Sequence, residues 1–561
     1  MNLPEITGAK ALIESLKEEG VETIFGIPGG AMIDVYDALY QEEKINHILC
    51  RHEQGAAHAA DAYARVTGKP GVCMATSGPG ATNLTTGIAN ANMDSSPVIA
   101  ITGQVSQNLL GVDAFQEADV LSTMLPNTKH NLMLRDASKI PKRINYAFKV
   151  ATTGRPGPVH IDFPKDVQND EAEIEVPQEA EYRKKPRMEP NKEEIKEAAE
   201  IISEAEQPLI FAGGGVILSK AWPELKELAE QLEIPVVTST MAKGVIPEDH
   251  PLSLGIMGMH GRMTANIAIT ECDVLLGVGV RFDDRQTGDI RHFAPKAEII
   301  HIDIDPVELG KNIRVEVPIQ ADGKTALKRI LEYIESNEIT RSADEWNERI
   351  HKLKDKFKPK MDFDEKPIKP QRIIKDTMEV LDDDAIITAE VGQCQMWAAH
   401  FYEMKEPRKF INSGGLGTMG FGFPAAIGAK VGKPECQVVD IAGDGSFLMN
   451  SQELATTVEE DIPVVAMIFN NRYLGMVKQW QDLFYDERRS ATDLGQSPDF
   501  AELAEAYGAY GKKITRPSEI APKLKEALDS GKPAVLDIIV DPDEHVLPMV
   551  PAGGKLDKMV T

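Results

Sequence analysis

The sequence contains few cysteines and no long apolar run, and both absences exclude classes of protein. Its 561 residues include only five cysteines, an odd number with no C-x-x-C pair, so neither a disulfide framework nor a zinc site is predicted. No apolar stretch approaches the roughly 20 residues of a membrane-spanning helix. The amino terminus has neither the basic nor the apolar region of a secretory leader. We therefore expect a soluble, cytoplasmic protein with no membrane partner.

Positive charge is also in short supply. The chain has 61 Lys and Arg against 88 Asp and Glu, a formal net charge of -27. This excess of negative charge argues against a nucleic-acid partner and otherwise indicates only a well-solvated exterior.

Short-period repeats and low-complexity tracts are absent too, and apolar strand-like runs alternate with helix-like segments instead. The chain is too long for one hydrophobic core. Three α/β segments are predicted at residues 1–170, 191–335 and 371–541. Polar stretches at 171–190 and 336–370 are interpreted as linkers, and 542–561 as a tail that orders only over a ligand. The predicted fold is three doubly wound domains with parallel sheets.

The strongest chemical signal lies in the last third of the chain. An apolar run from Val438 to Ala442 precedes Asp444, which stands between two glycines, and a second run from Val464 to Phe469 precedes Asn471. Because parallel strands end at one edge of a sheet, both side chains are expected there together. With the backbone carbonyl of Tyr473 they offer the oxygen ligands that Mg²⁺ prefers. Alone, a Gly-Asp-Gly would more often be a surface turn.

The order and spacing of these residues resemble the metal and diphosphate motif of the thiamine diphosphate enzymes. Three α/β domains in this order are similar to the decarboxylase and carboligase group of that family, which has a pyrimidine-binding, a central and a diphosphate-binding domain. The resemblance implies thiamine diphosphate and Mg²⁺ as cofactors. It assigns cofactor binding to Val391, Gly392, Gln393, Gly417, Met419, Gly443, Gly445 and Met476, with Met419 propping the bent cofactor.

In the first third of the chain, Glu53 precedes a helix rich in small residues. By itself it is a helix-start carboxylate favoured by the helix dipole. In the family, a glutamate in this setting hydrogen-bonds N1′ of the aminopyrimidine and activates the cofactor. Because the family builds each site from two subunits, and Glu53 and Asp444 lie in different domains, the resemblance implies a homodimer or a dimer of dimers.

Further stretches resemble the acetohydroxyacid synthase, or acetolactate synthase, group. There the positions of Gln104 and Phe115 lie near the bound keto acid, Lys165 lies at the site entrance and Gly30 lies in a loop at the rim. Trp480 matches the residue that packs on the second keto acid and favours 2-oxobutanoate over pyruvate. The alternatives are a plain turn at Gly30, a solvated charge at Lys165 and a core residue at Trp480.

The same group binds FAD, and a run from Gly279 to Arg285 closely resembles its flavin and second-substrate motif. Arg281 would lie on the flavin, and Arg285 would offer a planar fork to a keto-acid carboxylate. A surface cluster of Arg and Asp is the alternative. The resemblance assigns the rest of the flavin site to Arg155, Gly213, Gly214, Gly215, Met257, His260, Asp303 and Asp322.

The resemblance implies a catalytic subunit of branched-chain amino acid synthesis. It would decarboxylate pyruvate on thiamine diphosphate and join the hydroxyethyl unit to a second pyruvate or to 2-oxobutanoate, giving 2-acetolactate or 2-aceto-2-hydroxybutanoate. That reaction involves no net redox change, so FAD would be structural. A pyruvate oxidase with a redox-active FAD and a non-catalytic binding protein are the alternatives. Whether a separate regulatory subunit binds is left open by the sequence.

Overall fold

The computed structural model describes residues 5–175, 187–341 and 344–561. Part of each predicted linker, 176–186 and 342–343, lies outside these ranges. Each of the three predicted α/β segments contains one six-stranded parallel sheet flanked by helices, which confirms the predicted fold class. No helix in the described ranges is long and apolar enough to cross a membrane.

The N-terminal domain has eight strands and eight helices. The strands are β1 (Glu5–Thr7), β2 (Thr23–Gly26), β3 (Asn46–Leu49), β4 (Gly71–Ala75), β5 (Val98–Gln104), β6 (His130–Met133), β7 (Val159–Pro164) and β8 (Glu171–Glu173). The helices are α1 (Gly8–Glu18), α2 (Ile33–Tyr40), α3 (Glu53–Thr67), α4 (Pro79–Asn83), α5 (Thr85–Met93), α6 (Val120–Met124), α7 (Ile140–Thr152) and α8 (Lys165–Asn169). The parallel sheet has the order β3-β2-β4-β5-β7-β6, and β1 pairs separately with β8 in antiparallel register.

The central domain repeats the arrangement. Its strands are β9 (Pro208–Ala212), β10 (Val236–Thr238), β11 (Ser253–Ile256), β12 (Val274–Val278), β13 (Glu298–Asp303) and β14 (Val317–Gln320), in the order β11-β10-β9-β12-β13-β14. Its helices are α9 (Lys192–Glu204), α10 (Gly214–Leu218), α11 (Trp222–Gln231), α12 (Met263–Glu271), α13 (Asp284–Thr287), α14 (Gly323–Ser336) and α15 (Asp344–Lys356). Helix α15 falls within the predicted linker 336–370, but its apolar side is buried against this domain through Trp346, Ile350 and Leu353.

The C-terminal domain carries the predicted metal motif. Its strands are β15 (Ile386–Ala389), β16 (Phe410–Asn412), β17 (Val438–Gly443), β18 (Val465–Asn470), β19 (Tyr510–Ile514) and β20 (Ala534–Ile539), in the order β16-β15-β17-β18-β20-β19. Its helices are α16 (Pro370–Val380), α17 (Gln393–Phe401), α18 (Gly422–Gly432), α19 (Asp444–Phe447), α20 (Glu453–Glu459), α21 (Gly475–Phe484), α22 (Phe500–Tyr507) and α23 (Ile520–Asp529).

Apolar sequence explains the central strands. Strands such as β4, β5, β9 and β12 are buried at every residue, as expected for parallel sheets covered by helices on both faces. Between domains, small residues allow closer contact. A Cβ atom at Gly428 on α18 would lie 1.9 Å from the carbonyl oxygen of Ala59 on α3. Helix α3 of the N-terminal domain is therefore packed tightly on the C-terminal domain of the same chain.

The tail at 542–561 is hydrogen-bonded to two domains of its own chain. The backbone N–H of Val546 donates to Gln479 Oε1 at 2.8 Å, and that of Val550 donates to the carbonyl of Met259 at 2.8 Å. Val546, Val550 and Leu556 are buried. The tail thus packs across the C-terminal and central domains, because it carries apolar residues that the polar and proline signals obscured.

Candidate functional site

Two adjacent strands of the C-terminal sheet deliver polar side chains to one cavity. β17 and β18 run parallel with Gly443 opposite Phe469, so the residues that follow them emerge side by side. Asp444, Asn471 and Tyr473 all line a cavity of about 1120 Å³. The structure therefore brings together the three residues that the sequence proposed as metal ligands.

The Asp444 carboxyl lies in a setting suited to a cation. The residue is buried, and burial raises the pKa of its carboxyl to about 7 because a charged carboxylate loses hydration there. Its Oδ2 atom is buried and has no hydrogen-bond partner among the described residues. A buried polar atom without a partner costs free energy, and a hard cation such as Mg²⁺ would remove that cost.

The Asn471 amide is fixed at both ends. Its Nδ2 donates to Gln393 Oε1 at 3.1 Å, and its Oδ1 accepts from the backbone N–H of Tyr473 at 2.9 Å. Gln393 in turn donates to Gln479 Oε1 at 2.9 Å, the same oxygen that accepts from Val546 of the tail. One continuous hydrogen-bonded chain thus links the candidate metal site to the tail.

Protein carboxylates alone are too few here to enclose a metal ion. Within residues 5–175, 187–341 and 344–561, no group of three or more His, Cys, Asp or Glu could hold one. A cation beside Asp444 would depend on amide, carbonyl and water oxygens and on oxygens of a bound ligand such as a diphosphate. The ligand set therefore fits a metal bound together with a phosphorylated cofactor.

The cavity wall also contains the eight C-terminal positions that the resemblance assigns to thiamine diphosphate. Gly417 has a φ of 71°, a left-handed conformation that favours glycine, and its Cβ direction faces open space. A ligand can therefore approach its backbone closely. The other seven positions that line the cavity are Val391, Gly392, Gln393, Met419, Gly443, Gly445 and Met476.

The N-terminal domain holds the loop that carries Gly417. The Asp94 carboxylate accepts from the backbone N–H groups of Gly414 at 3.0 Å and Gly415 at 2.7 Å, and it pairs with Arg65 at 2.9 Å. Asp94 is buried, and burial raises the pKa of its carboxyl. The sequence analysis missed this residue. Only its acidic character next to a run of small polar residues hinted at a role.

Arg285 and Trp480 contact each other in the wall of the same cavity. The guanidinium carbon lies 5.9 Å from the centroid of the indole ring, within the range of a cation–π contact. The Arg285 side chain is 57% exposed, and the carboxylate paired with it, that of Asp284, lies 3.8 Å away. Its charge is thus available to an anionic ligand. Met257 and His260 line the cavity beside it.

A second cavity, of about 790 Å³, contains the rest of the predicted flavin positions. Gly213, Gly214, Gly215, Asp303 and Asp322 line it. The two cavities are adjoining, because both are lined by Arg155 and Arg281. Together they form a long space between the central domain and the other two, suitable for an extended ligand.

Two of the three central-domain glycines have a packing role. A Cβ atom at Gly213 would lie 2.0 Å from the carbonyl oxygen of Gly279, and one at Gly215 would lie 2.6 Å from the Cα of Gly279. At Gly214 the nearest atom is the side-chain Cβ of Met241, at 3.3 Å. The missing side chains of Gly213 and Gly215 therefore let two loops touch.

The charged flavin candidates already have protein partners. Arg155 donates to Glu308 at 2.8 Å and to Asp305 at 3.3 Å. Asp322 caps α14 and pairs with Arg187 at 2.9 Å. Burial raises the pKa of the Asp303 carboxyl to about 6. A ligand here would contact charged side chains that already pair with one another. Asp303 is the acid best placed to accept a hydrogen bond from a ligand hydroxyl group.

Five predicted residues, all from the N-terminal domain, line neither cavity: Gly30, Glu53, Gln104, Phe115 and Lys165. Glu53 is the first residue of α3 and is half-buried, with Oε2 accepting from Asn83 Nδ2 at 2.9 Å. Within one chain, Glu53 and the Asp444 cavity are therefore separate.

The remaining N-terminal candidates differ in how free they are. Gln104 is buried, and its Nε2 donates to Asp162 and to the carbonyl of Ala118, both at 3.0 Å. Lys165 donates to the carbonyl of Gly30 at 3.0 Å, so it is not merely a solvated charge. Phe115 is 89% exposed. Its side chain is therefore free to contact a ligand or another chain.

Two buried glutamates near the motifs also went unnoticed in the sequence. Glu390 follows β15 and accepts from the backbone N–H groups of Gly420 at 2.9 Å and Phe423 at 3.0 Å, and from the Ser446 hydroxyl. Burial raises the pKa of the Glu390 carboxyl. Glu453 begins α20 and contacts the N-terminal domain. An acid directly after an apolar run was the available signal for Glu390, while nothing local marked Glu453.

The sequence matches three family descriptions that cover most of the chain. They are the thiamine pyrophosphate enzyme N-terminal TPP binding domain at residues 6–123, the central domain at 195–330 and the C-terminal TPP binding domain at 390–538. Each match falls on one of the three sheets.

Curated relatives extend this similarity over the full length. The chain is 58% identical to the probable acetolactate synthase large subunit of Methanocaldococcus jannaschii, covering 99% of this chain and 95% of that one. It is 48% identical to the acetolactate synthase large subunit of Corynebacterium glutamicum, covering 98% and 89%. It is 43% identical to the acetolactate synthase isozyme 3 large subunit of Escherichia coli, covering 99% and 98%.

Proposed function

The chain belongs to the thiamine pyrophosphate enzymes and, among them, to the acetolactate synthase large subunits, and from this premise we propose its substrates and the roles of its residues. Pyruvate is decarboxylated, and the two-carbon unit is joined to a second pyruvate or to 2-oxobutanoate. The products are 2-acetolactate and 2-aceto-2-hydroxybutanoate. The observation that carries this proposal is that one cavity is lined by Asp444, Asn471, Arg285 and Trp480.

Mg²⁺ and the diphosphate of the cofactor would be held by Asp444, Asn471 and the carbonyl of Tyr473. The unpartnered Oδ2 of Asp444 supports this role. Thiamine diphosphate supplies the electron sink that makes loss of CO₂ from a 2-oxo acid feasible. Gly417 and Met419 would orient the ring system above the metal, while the glycines at 443 and 445 let the chain approach phosphate.

In the same cavity, Arg285 would bind the carboxylate of the second 2-oxo acid. Its planar fork matches a carboxylate at two points, which fixes the direction of the ligand as well as its position. Trp480 would pack on the alkyl group of that acid. One extra methylene is worth only about 1–3 kcal/mol in an apolar pocket, so a preference for 2-oxobutanoate would be selective without being absolute.

We infer that a second copy of the chain completes the site. Glu53, which the family uses to activate the cofactor, lies outside the Asp444 cavity of its own chain, as do Gln104, Phe115 and Lys165. The exposed Phe115 side chain supports its burial by another subunit. Glu53 of one protomer would then hold the proton-bearing N1′ position of the cofactor that its partner binds, in a homodimer or a dimer of dimers.

We further propose FAD in the second cavity and a separate small subunit as partner. The adjoining walls, with Arg281 on one side and Asp303 on the other, fit an extended dinucleotide. Since the overall reaction has no net redox change, FAD would serve as structure. Relatives that are named large subunits support a separate regulatory chain.

The test is an anaerobic assay of purified protein with pyruvate, with thiamine diphosphate, Mg²⁺ and FAD each added or omitted. We expect acetolactate to form without any electron acceptor, and to disappear when thiamine diphosphate or Mg²⁺ is removed. Acetate or acetyl phosphate that requires oxygen would instead indicate a pyruvate oxidase. No turnover with any combination would indicate a protein that has kept the fold without the chemistry.

A further inference from the structure

Glu453 is a fully buried acid in the C-terminal domain whose side chain points out of that domain. It has no exposed surface and begins α20. Its carboxylate does not reach the Asp444 cavity. Its backbone hydrogen-bond donors belong instead to the N-terminal domain, about 400 residues earlier in the chain. A buried carboxyl that faces another domain is costly unless donors satisfy it.

The donors are the two backbone N–H groups immediately before the catalytic candidate. Glu453 Oε1 accepts from the N–H of His52 at 2.9 Å and from that of Arg51 at 3.1 Å. Oε2 accepts from Arg51 N–H at 3.2 Å and from the Thr456 hydroxyl at 2.8 Å. His52 is the N-cap of α3, so Glu453 fixes the point from which Glu53 projects.

The rest of α20 strengthens the same contact. The Thr456 hydroxyl also donates to the carbonyl of Leu49 at 3.1 Å, and Glu460 accepts from the N–H of Leu49 at 3.2 Å. Leu49 is the last residue of β3, so the whole connection from that strand to α3 lies against α20. Gly55 completes the fit, because a Cβ atom there would lie 2.6 Å from Glu453 Oε1.

We infer that Glu453 is a positioning residue for the reaction: it holds the N-terminus of α3 so that Glu53 reaches the cofactor. This inference rests on the proposed role of Glu53. The same short segment, from Asp444 to Glu453, then carries the metal ligand of its own site and the anchor of the acid that this protomer gives to its partner. A misplacement of about 1 Å at a reacting group can cost roughly 100-fold in rate.

The decisive readout is the rate at which the C2 proton of enzyme-bound thiamine diphosphate exchanges with D₂O, measured in the holoenzyme. In Glu453→Ala, the N–H groups of Arg51 and His52 lose their acceptor. We expect proton exchange and kcat to fall roughly 10- to 100-fold, while the Kd for thiamine diphosphate with Mg²⁺ changes less than about threefold. A general structural defect would weaken cofactor binding at least as much as exchange.

A conservative variant should rescue the rate. In Glu453→Gln, one oxygen still accepts from both N–H groups, and the new amide can donate to the Thr456 hydroxyl, so exchange should stay near that of the unaltered protein. Glu453→Asp withdraws the carboxylate by one methylene and should give an intermediate loss. If the Ala variant does not fold, the Asp and Gln variants still decide. Glu459→Ala, on the exposed side of the same helix, is the matched control.

The outcomes that would contradict the role of Glu53 and the role of Glu453 can be distinguished experimentally. Proton exchange unchanged in Glu53→Gln would overturn the proposed role of Glu53 itself. Slow exchange in Glu53→Gln, together with unaltered exchange in Glu453→Ala and Glu453→Asp, would overturn the positioning role of Glu453 alone. Exchange and cofactor affinity that fall in parallel in the Glu453 variants would also overturn it, since the residue would then be acting only through stability.

Discussion

The guanidinium carbon of Arg285 lies 5.9 Å from the ring centroid of Trp480, and the pair spans two domains. Arg285 lies on α13 of the central domain, whereas Trp480 lies on α21 of the C-terminal domain. Each residue offers what one part of a 2-oxo acid needs: a cation for the carboxylate and an apolar face for the alkyl group. In the proposed reaction, selection of the second substrate would therefore be a property of the domain interface.

Replacing Trp480 should change selectivity more than rate. In Trp480→Leu, the smaller side chain leaves the alkyl group of 2-oxobutanoate less well packed. We expect its preference over pyruvate to fall by roughly 10-fold or more, as for the loss of about 1–3 kcal/mol. The measurement is the product ratio when the two keto acids compete. Phe484→Leu, an exposed position on the same helix that does not line the cavity, should leave the ratio unchanged.

Replacing Asp444 should abolish the metal-dependent part of cofactor binding. In Asp444→Ala, the only carboxylate of the proposed metal site is lost, and we expect thiamine diphosphate affinity to fall roughly 100-fold, the scale of a lost charged contact. Titration with cofactor at several Mg²⁺ concentrations measures this. Asp461→Asn, at an exposed turn that Asn tolerates, is the control, and equal affinity in both variants would argue against the assignment.

The central-domain glycines give a matched pair of variants. Gly213→Ala places a methyl group 2.0 Å from the carbonyl oxygen of Gly279, so two loops of the second cavity must separate. We expect the purified protein to lose most of its bound flavin. Gly214→Ala meets Met241 Cβ at 3.3 Å, which a shift of a few tenths of an ångström relieves, so this variant should retain more flavin than Gly213→Ala. Flavin absorbance per chain is the readout, and equal content in the two variants would contradict the packing argument.

Removing Asp94 should loosen the cofactor loop from a distance. In Asp94→Ala, the backbone N–H groups of Gly414 and Gly415 lose their acceptor, and Arg65 loses one of its two carboxylate partners. Breaking a buried charge pair costs about 3–5 kcal/mol. We expect a lower Tm and weaker thiamine diphosphate binding, with added cofactor restoring part of the Tm. A variant with unaltered Tm would show that the loop is held elsewhere.

The stability of the protein should depend on pH through Glu453. Burial raises the pKa of this carboxyl to about 7 in the fold, above the value of an exposed glutamate. The folded state thus holds a proton that the unfolded chain releases, so stability falls as pH rises from about 4.5 to 7, by at most about 3 kcal/mol. The Arg51 guanidinium and the Cys50 thiol are the titratable or charged groups that face it.

Comparison of Glu453→Gln with the unaltered protein isolates this effect. The amide does not titrate, so its Tm relative to the unaltered protein should increase between pH 5 and pH 8. A difference in Tm that stays constant over this range would mean that Glu453 keeps an ordinary pKa in the fold.

Local patterns in the sequence were sufficient to place Asp444 beside Asn471. Two apolar runs joined by a helical segment form neighbouring parallel strands, and their carboxyl ends must share an edge. The predicted run Val438–Ala442 differs from the observed strand by one residue at its end, and Val464–Phe469 is shifted by one residue at both ends. The same reasoning identified three α/β units, because each sheet arises from contacts within about 170 residues of chain.

Tertiary structure alone decided which distant residues act together. Arg285 reaches Trp480, Asp94 holds the Gly414 loop, and Glu453 receives the N–H groups of Arg51 and His52, all through contacts between domains. Such contacts depend on how whole packed surfaces fit, and no periodicity or spacing in the chain encodes that fit. For the same physical reason, only the structure showed that Gly213 lacks a side chain to admit Gly279, and that Glu53 lies outside the cavity of its own chain.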